Sequence, residues 1–222
     1  MAPDRHFDVS LKALKDQLNQ MGTNVENALD AVTKALITRD TQLLKEVYKT
    51  EDSVNRSQIE VDETCVNLIA LQQPLAADLR LIIATLKIST DLERIGDQTV
   101  NIAHNSERYL AAPELKPLHD LPRMFAETRD MVRLSLESFI NQDISVAKEV
   151  LTRDDSVDAL KAKIFRDVIE VMKQAPDKID QGISLILIAR NLERIGDHAT
   201  NIAEDVIFAV SGKDIRHPQR RP

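Results

Sequence analysis

The chain has 222 residues with five glycines, one cysteine, no tryptophan, 3% aromatic and 43% hydrophobic residues, and a net charge of −7. So few turn-forming glycines exclude an all-β design, the single cysteine excludes an intramolecular disulfide, and the acidic balance argues against DNA or RNA as the main partner. A core with so few aromatics has to be aliphatic, the usual filling of a helical bundle.

Leu11, Leu14, Leu18, Met21, Val25, Ala28, Leu29, Val32 and Leu36 follow the three-and-four spacing of one buried stripe and predict a helix over 7–38. Asp40 supplies a cap. The rhythm then resumes through Leu43, Leu44, Val47, Val54, Ile59, Val66 and Ile69, predicting a second helix over 41–72 that Pro74 stops. Cys65 lies in this helix and reads as packing rather than chemistry. A third helix is predicted over 75–110. Residues 111–122 hold three of the eight prolines and read as a linker. Helices over 120–141, 144–174 and 177–211 complete an all-α fold, and the basic, proline-rich tail after Gly212 is expected to carry little ordered structure. No run of eighteen apolar residues occurs and Met1–His6 has no apolar signal-peptide stretch, so the expected compartment is the cytoplasm.

The two halves repeat one another. LERIGD occurs at Leu92–Asp97 and at Leu192–Asp197, and each copy is followed after three residues by Asn-Ile-Ala, at Asn101–Ala103 and Asn201–Ala203. Ile37–Asp40 aligns with Ile140–Asp143 and Asp52–Asn55 with Asp155–Asp158, both at an offset of 103, while Pro74 aligns with Pro176. The unit is too long for a solenoid repeat and long enough for a domain. The prediction is two tandem three-helix bundles related by a pseudo-two-fold: residues 7–110, the linker 111–122, residues 123–212 and a tail over 213–222.

Residues four apart share a helix face, so Glu93 and Asp97 form a row with Asn101 and His104, and Glu193 and Asp197 form one with Asn201 and Glu204. A solvated face would place Lys or Arg four residues from each acid, yet Glu93 has Asp97 and Ser89 there. The second helix of each half carries a pair at the same spacing, Glu51 with Asn55 and Asp154 with Asp158. The pairs stand about equally far from the turns at Pro74 and Pro176, so antiparallel packing brings them to one level of each bundle. Oxygen donors converging from two helices make up a hard-cation site, for Mg, Mn, Ca or iron. Asn101, His104, Asn201 and Glu204 are candidate accessory donors, as is His198. Gly96 and Gly196 each cost about 1 kcal/mol in a helix interior and point to a close helix crossing that excludes a β-carbon. No Gly-rich phosphate loop, Gly-x-Ser-x-Gly, His-Glu-x-x-His or cysteine pair is present, so an enzyme is not the leading reading. A metal-dependent hydrolase or a metal-storage bundle using the same clusters is the alternative.

A duplicated three-helix bundle with LERIGD-x-x-x-NIA in helices three and six, and Gln73-Pro74-x-x-x-Asp78-Leu79-Arg80 opening the third helix, resembles the PhoU family of phosphate-uptake regulators over about residues 7–217. The resemblance implies a cytoplasmic accessory protein of high-affinity phosphate transport that represses phosphate-starvation signalling. It implies contacts with the transporter's ATPase subunit and a membrane sensor histidine kinase, hence peripheral membrane association, and a homodimer. It also implies metal ions, iron, zinc, Mg or Mn, at Glu51/Asn55, Glu93/Asp97, Asp154/Asp158 and Glu193/Asp197. Asn55 stands where the motif wants a carboxylate, which weakens the first-half site, and Arg80 has no counterpart in the second half.

Overall fold

The computed structural model of the chain describes residues 6–113, 115 and 120–216, with the backbone alone at residue 6. Six long helices carry it: α1 (His6–Thr38), α2 (Leu44–Gln72), α3 (Ala76–Leu110), α4 (Asp120–Asn141), α5 (Ile144–Gln174) and α6 (Ile179–Ser211). Short 3-10 turns at Thr41–Leu43 and Pro176–Lys178 lead into α2 and α6, and no strand occurs among the described residues. Each half ends its first helix in the same way. Arg39 and Gln142 take left-handed backbone at φ 56° and 54°, and the aspartate that follows caps the next segment. Asp40 Oδ1 accepts from the Gln42 amide at 2.9 Å, and Asp143 Oδ1 accepts from the Ser145 and Val146 amides at 2.7 and 3.3 Å. Pro122 falls in the first turn of α4, where its missing N–H breaks no helical bond.

In the predicted linker, residues 114 and 116–119 lie outside the described residues, as do 217–222 of the tail. The described start of the tail is not loose. Gly212 closes α6 in the left-handed region at φ 72°, its amide bonding Phe208 O at 2.8 Å, and Arg216 returns to within 3.8 Å of Asp205 on α6.

Within each half the three helices pack on one another as a bundle, and the two bundles are related by a pseudo-two-fold. They join chiefly along α3 and α6, with a second seam between α1 and α4. Side chain contacts set Arg80 against Ala209, Lys87 against Asp205, Asp91 against His198 and Tyr109 against Gln181. That register is antiparallel and centred near residues 95 and 195, inside the two LERIGD copies. Leu92, Ile95, Leu192 and Ile195 are fully buried there, within one continuous aliphatic core that includes Leu14, Leu18, Met21, Met124 and Met131. Burying each such side chain contributes about 1.5–3 kcal/mol. Cys65 is part of this core; burial pushes its thiol up to about 12, which leaves it a packing residue.

The expected exclusion of a β-carbon at Gly96 and Gly196 is not what the packing shows. A β-carbon there would meet Val54 at 3.4 Å and Val157 at 3.6 Å, at or close to ordinary van der Waals contact. The tight approaches are elsewhere: at Gly22, where it would overlap Leu136 across the α1–α4 seam, and at Gly182, where it would lie 2.6 Å from Met172 of α5. Among the described residues no helix is long and apolar enough to cross a membrane.

Candidate functional site

In the second half, α5 and α6 bring Asp154, Asp158, Glu193 and Asp197 together around the bare backbone of Gly196. A β-carbon on Gly196 would sit 3.7 Å from Asp154 Oδ1, so this carboxylate lies over α6 at Gly196. Its carboxyl is held above the usual range by burial first and then by the charges of Asp158, Asp155 and Glu193. Asp197 is raised likewise, by burial and then by Glu193, Asp154 and Asp158. These mutual effects mark a concentration of negative charge that the nearby cations do not cancel.

The cation found there is Lys161 of α5. Its ammonium donates to Asp158 Oδ1 at 3.0 Å and to Glu193 Oε1 at 2.8 Å, and its side chain is only 26% exposed. In neither half do three His, Cys, Asp or Glu side chains among the described residues close on a single point as a metal would require. The sequence carried a sign of the lysine's place. Lys161 stands three residues after Asp158, a spacing that shares a helix face as well as four does.

The first half is looser. Glu93 has 19% of its side chain exposed and its carboxyl is raised by burial and then by Asp97. The guanidinium of Arg94 approaches Glu93 Oε2 at 3.4 Å and Asp97 Oδ2 at 3.6 Å from a side chain 57% exposed. Val54 packs over Gly96 and Ser89 Oγ donates to Asp62 at 3.2 Å, so α2 runs antiparallel to α3 and Asn55 is level with Asp97. No hydrogen bond or ion pair among the described residues joins Glu51 or Asn55 to Glu93 or Asp97.

The accessory residues divide. His104 Nδ1 is 3.1 Å from the hydroxyl of Tyr48, whose phenol is pushed up to about 12 by burial and by Glu107, and Asn101 is exposed. His198 and Asn201 turn towards α3, where both approach Asp91 Oδ1, at 2.8 and 3.3 Å. Glu204 lies within the field of Arg216. The reason is geometric. Four residues advance a helix by about 40° beyond a full turn, so a row that faces α5 at Glu193 has rotated towards α3 by Asn201.

That rotation exposes a second polar cluster that sequence reasoning missed. Lys87 Nζ bonds Asp205 Oδ1 at 2.9 Å, and Asp205 has only 6% of its side chain exposed; burial raises its carboxyl, with Lys87 and Arg216 opposing the rise. Lys87, Asp91, Asn201, Asp205 and Arg216 line a pocket of about 420 Å³ at one end of the α3–α6 seam. Because each cation there is already matched to an acid, the cluster reads as a clasp between the halves.

Comparison with known proteins agrees with the duplication. The PhoU domain family matches residues 18–106 and again 121–206. The phosphate-specific transport system accessory protein PhoU homolog of Pseudomonas putida is 36% identical over 220 residues, covering 96% of this chain and 84% of that protein. The homolog of Aquifex aeolicus is 37% identical over 207 residues, covering 93% and 94%. The crystal structure of PhoU from Pseudomonas aeruginosa has a TM-score of 0.89 at 34% identity, covering 94% of this chain and 100% of that one. That of the phosphate transport system regulatory protein PhoU from Streptococcus pneumoniae has the same TM-score at 25% identity, covering 96% and 100%.

Proposed function

We propose that this chain, which belongs to the PhoU family, is a non-catalytic regulatory adaptor that restrains phosphate-starvation signalling when phosphate is plentiful. The observation that carries the reading is the match of both repeats to the PhoU domain, in relatives named as accessory proteins of phosphate-specific transport. The adaptor works at the cytoplasmic face of the membrane as a homodimer, touching the transporter's ATPase subunit and the sensor histidine kinase. A 31-residue helix such as α5 is about 46 Å long, enough for two partners to dock along one bundle.

In this reading the donor chemistry of the acidic clusters suits a metal, with the side chains closing onto the ion as it binds. Asp154, Asp158, Glu193 and Asp197 would hold it in the second half, and Glu51, Glu93 and Asp97 with Asn55 in the first. All are hard oxygen donors, and in the second half their negative charge exceeds what Lys161 neutralises. A bound Mg, Mn, zinc or iron ion would supply charge neutralisation and a rigid tie between helices. The chain's own part is to hold the carboxylates at one level by the antiparallel packing of α5 on α6 and to leave room over Gly196.

Deleting the gene in its native host should switch on phosphate-starvation genes even in high phosphate, and the tagged protein should retain the transport ATPase and the kinase in pull-downs. Expression that stayed phosphate-responsive, with neither partner retained, would end the adaptor reading. Metal-dependent phosphoesterase turnover by the purified protein would favour the hydrolase alternative.

A further inference from the structure

We propose that Lys161 is a tethered counter-ion of the second-half acidic cluster: its ammonium occupies the place a metal ion would take, and metal binding proceeds by displacing it. This rests on the metal reading above, and deepens it by assigning a role to a residue outside the donor set. Lys161 extends from α5 and bonds one carboxylate on its own helix, Asp158, and one on the facing helix, Glu193. It therefore ties α5 to α6 as a metal shared between those helices would. While it stays, Asp158 and Glu193 each have an oxygen committed to it. An ammonium and a divalent cation cannot share that position, because like charges at contact distance repel strongly in a half-buried site.

The first half lacks the device. At the repeat offset of 103, Gln58 stands where the second half has Lys161. The cation near Glu93 and Asp97 is Arg94, which belongs to the same helix as both acids and so ties nothing across to α2. The second half can thus lose a metal and keep its helices joined, with the acids held in a state ready to accept the ion again. The tethered ammonium also sets a threshold, since any ion has to compete with a charge whose effective concentration is fixed by its own helix.

Two measurements on the full-length protein test this. The first is manganese binding by calorimetry for the wild type and Lys161→Gln, a change that copies the first half and removes the charge. The variant should bind Mn²⁺ about tenfold tighter, and melt at a lower temperature than the wild type in chelator but at the same temperature in saturating Mn²⁺. The second needs no variant. Labelling of lysines by an amine-reactive ester, read by mass spectrometry, should rise at Lys161 when Mn²⁺ is added and stay constant at the exposed Lys148. Wild-type binding that Lys161→Gln leaves unchanged or weakens, or labelling at Lys161 that ignores Mn²⁺, overturns the displacement while leaving the metal reading intact. Absence of Mn²⁺ binding in both proteins overturns the two together.

Discussion

The two halves share a helix plan, a capping device and a repeated motif, yet they neutralise their acids differently. In the second half Lys161 of α5 bridges Asp158 on its own helix and Glu193 on α6 at 3.0 and 2.8 Å; in the first, Arg94 covers Glu93 and Asp97 from their own helix at 3.4 and 3.6 Å. The lesson is that a duplication can preserve backbone register while each copy settles its charge separately. A residue one turn beyond Asp158, Lys161 against Gln58, decides whether an ion pair ties the second helix of the half to the third.

The largest effect tests how independent the halves are. Leu92 and Leu192 occupy matching places in the seam and both are fully buried. Leu92→Ala and Leu192→Ala should each cost about 2–5 kcal/mol by denaturant unfolding, in a single transition, because the core runs through both bundles. Two separate transitions, or a loss confined to one variant, would show that the halves fold as separate units.

A smaller effect of opposite sign is expected at Gly196. An alanine there makes contacts of 3.6–3.8 Å with Val157, Asp154 and Met131, so Gly196→Ala should gain up to about 1 kcal/mol in chelator from helix propensity. Gly182→Ala, aimed at Met172, should gain less or destabilise. If Gly196→Ala gained stability but weakened Mn²⁺ binding, the glycine would be keeping room for the donor set rather than for the fold.

The smallest effect concerns pH. Asp154 and Asp197 titrate above their ordinary range in the folded protein, so protonating them favours the fold. Their contribution is intact below the unfolded value of about 4 and is lost as pH rises through the raised folded values. In chelator, Asp197→Asn removes one repelling charge and should be more stable than the wild type at neutral pH, with the difference vanishing towards pH 4. A variant less stable than the wild type at neutral pH would mean that Asp197 is a paired carboxylate in the metal-free protein.

Much of the architecture was legible in the chain. Helix spans follow from apolar spacing and from the Asp40 and Asp143 caps, and the level of the acidic pairs follows from their distances to Pro74 and Pro176. The site was legible in part: Asp154, Asp158, Glu193 and Asp197 do come together, whereas His198 and Asn201 serve Asp91 instead. The steric role expected of Gly96 and Gly196 falls to Gly22 and Gly182, because helical spacing locates a glycine on a face without saying how large the facing side chain is.

What the sequence determined alone is everything carried by short-range periodicity and by the repeat: six helices, two bundles, one duplicated motif and the residue types of the acidic rows. Those depend on neighbours three or four positions away, which the chain states directly. Only the tertiary structure decided that α3 and α6 cross with their motifs at the centre, that Asp205 is buried between Lys87 and Arg216, and that Lys161 reaches across to Glu193. The physical reason is that a helix presents its side chains in every direction and drifts by about 40° over each four-residue step. Which helix a given row meets is set by the packing of distant segments, and long flexible side chains then choose their partners among whatever that packing brings within reach.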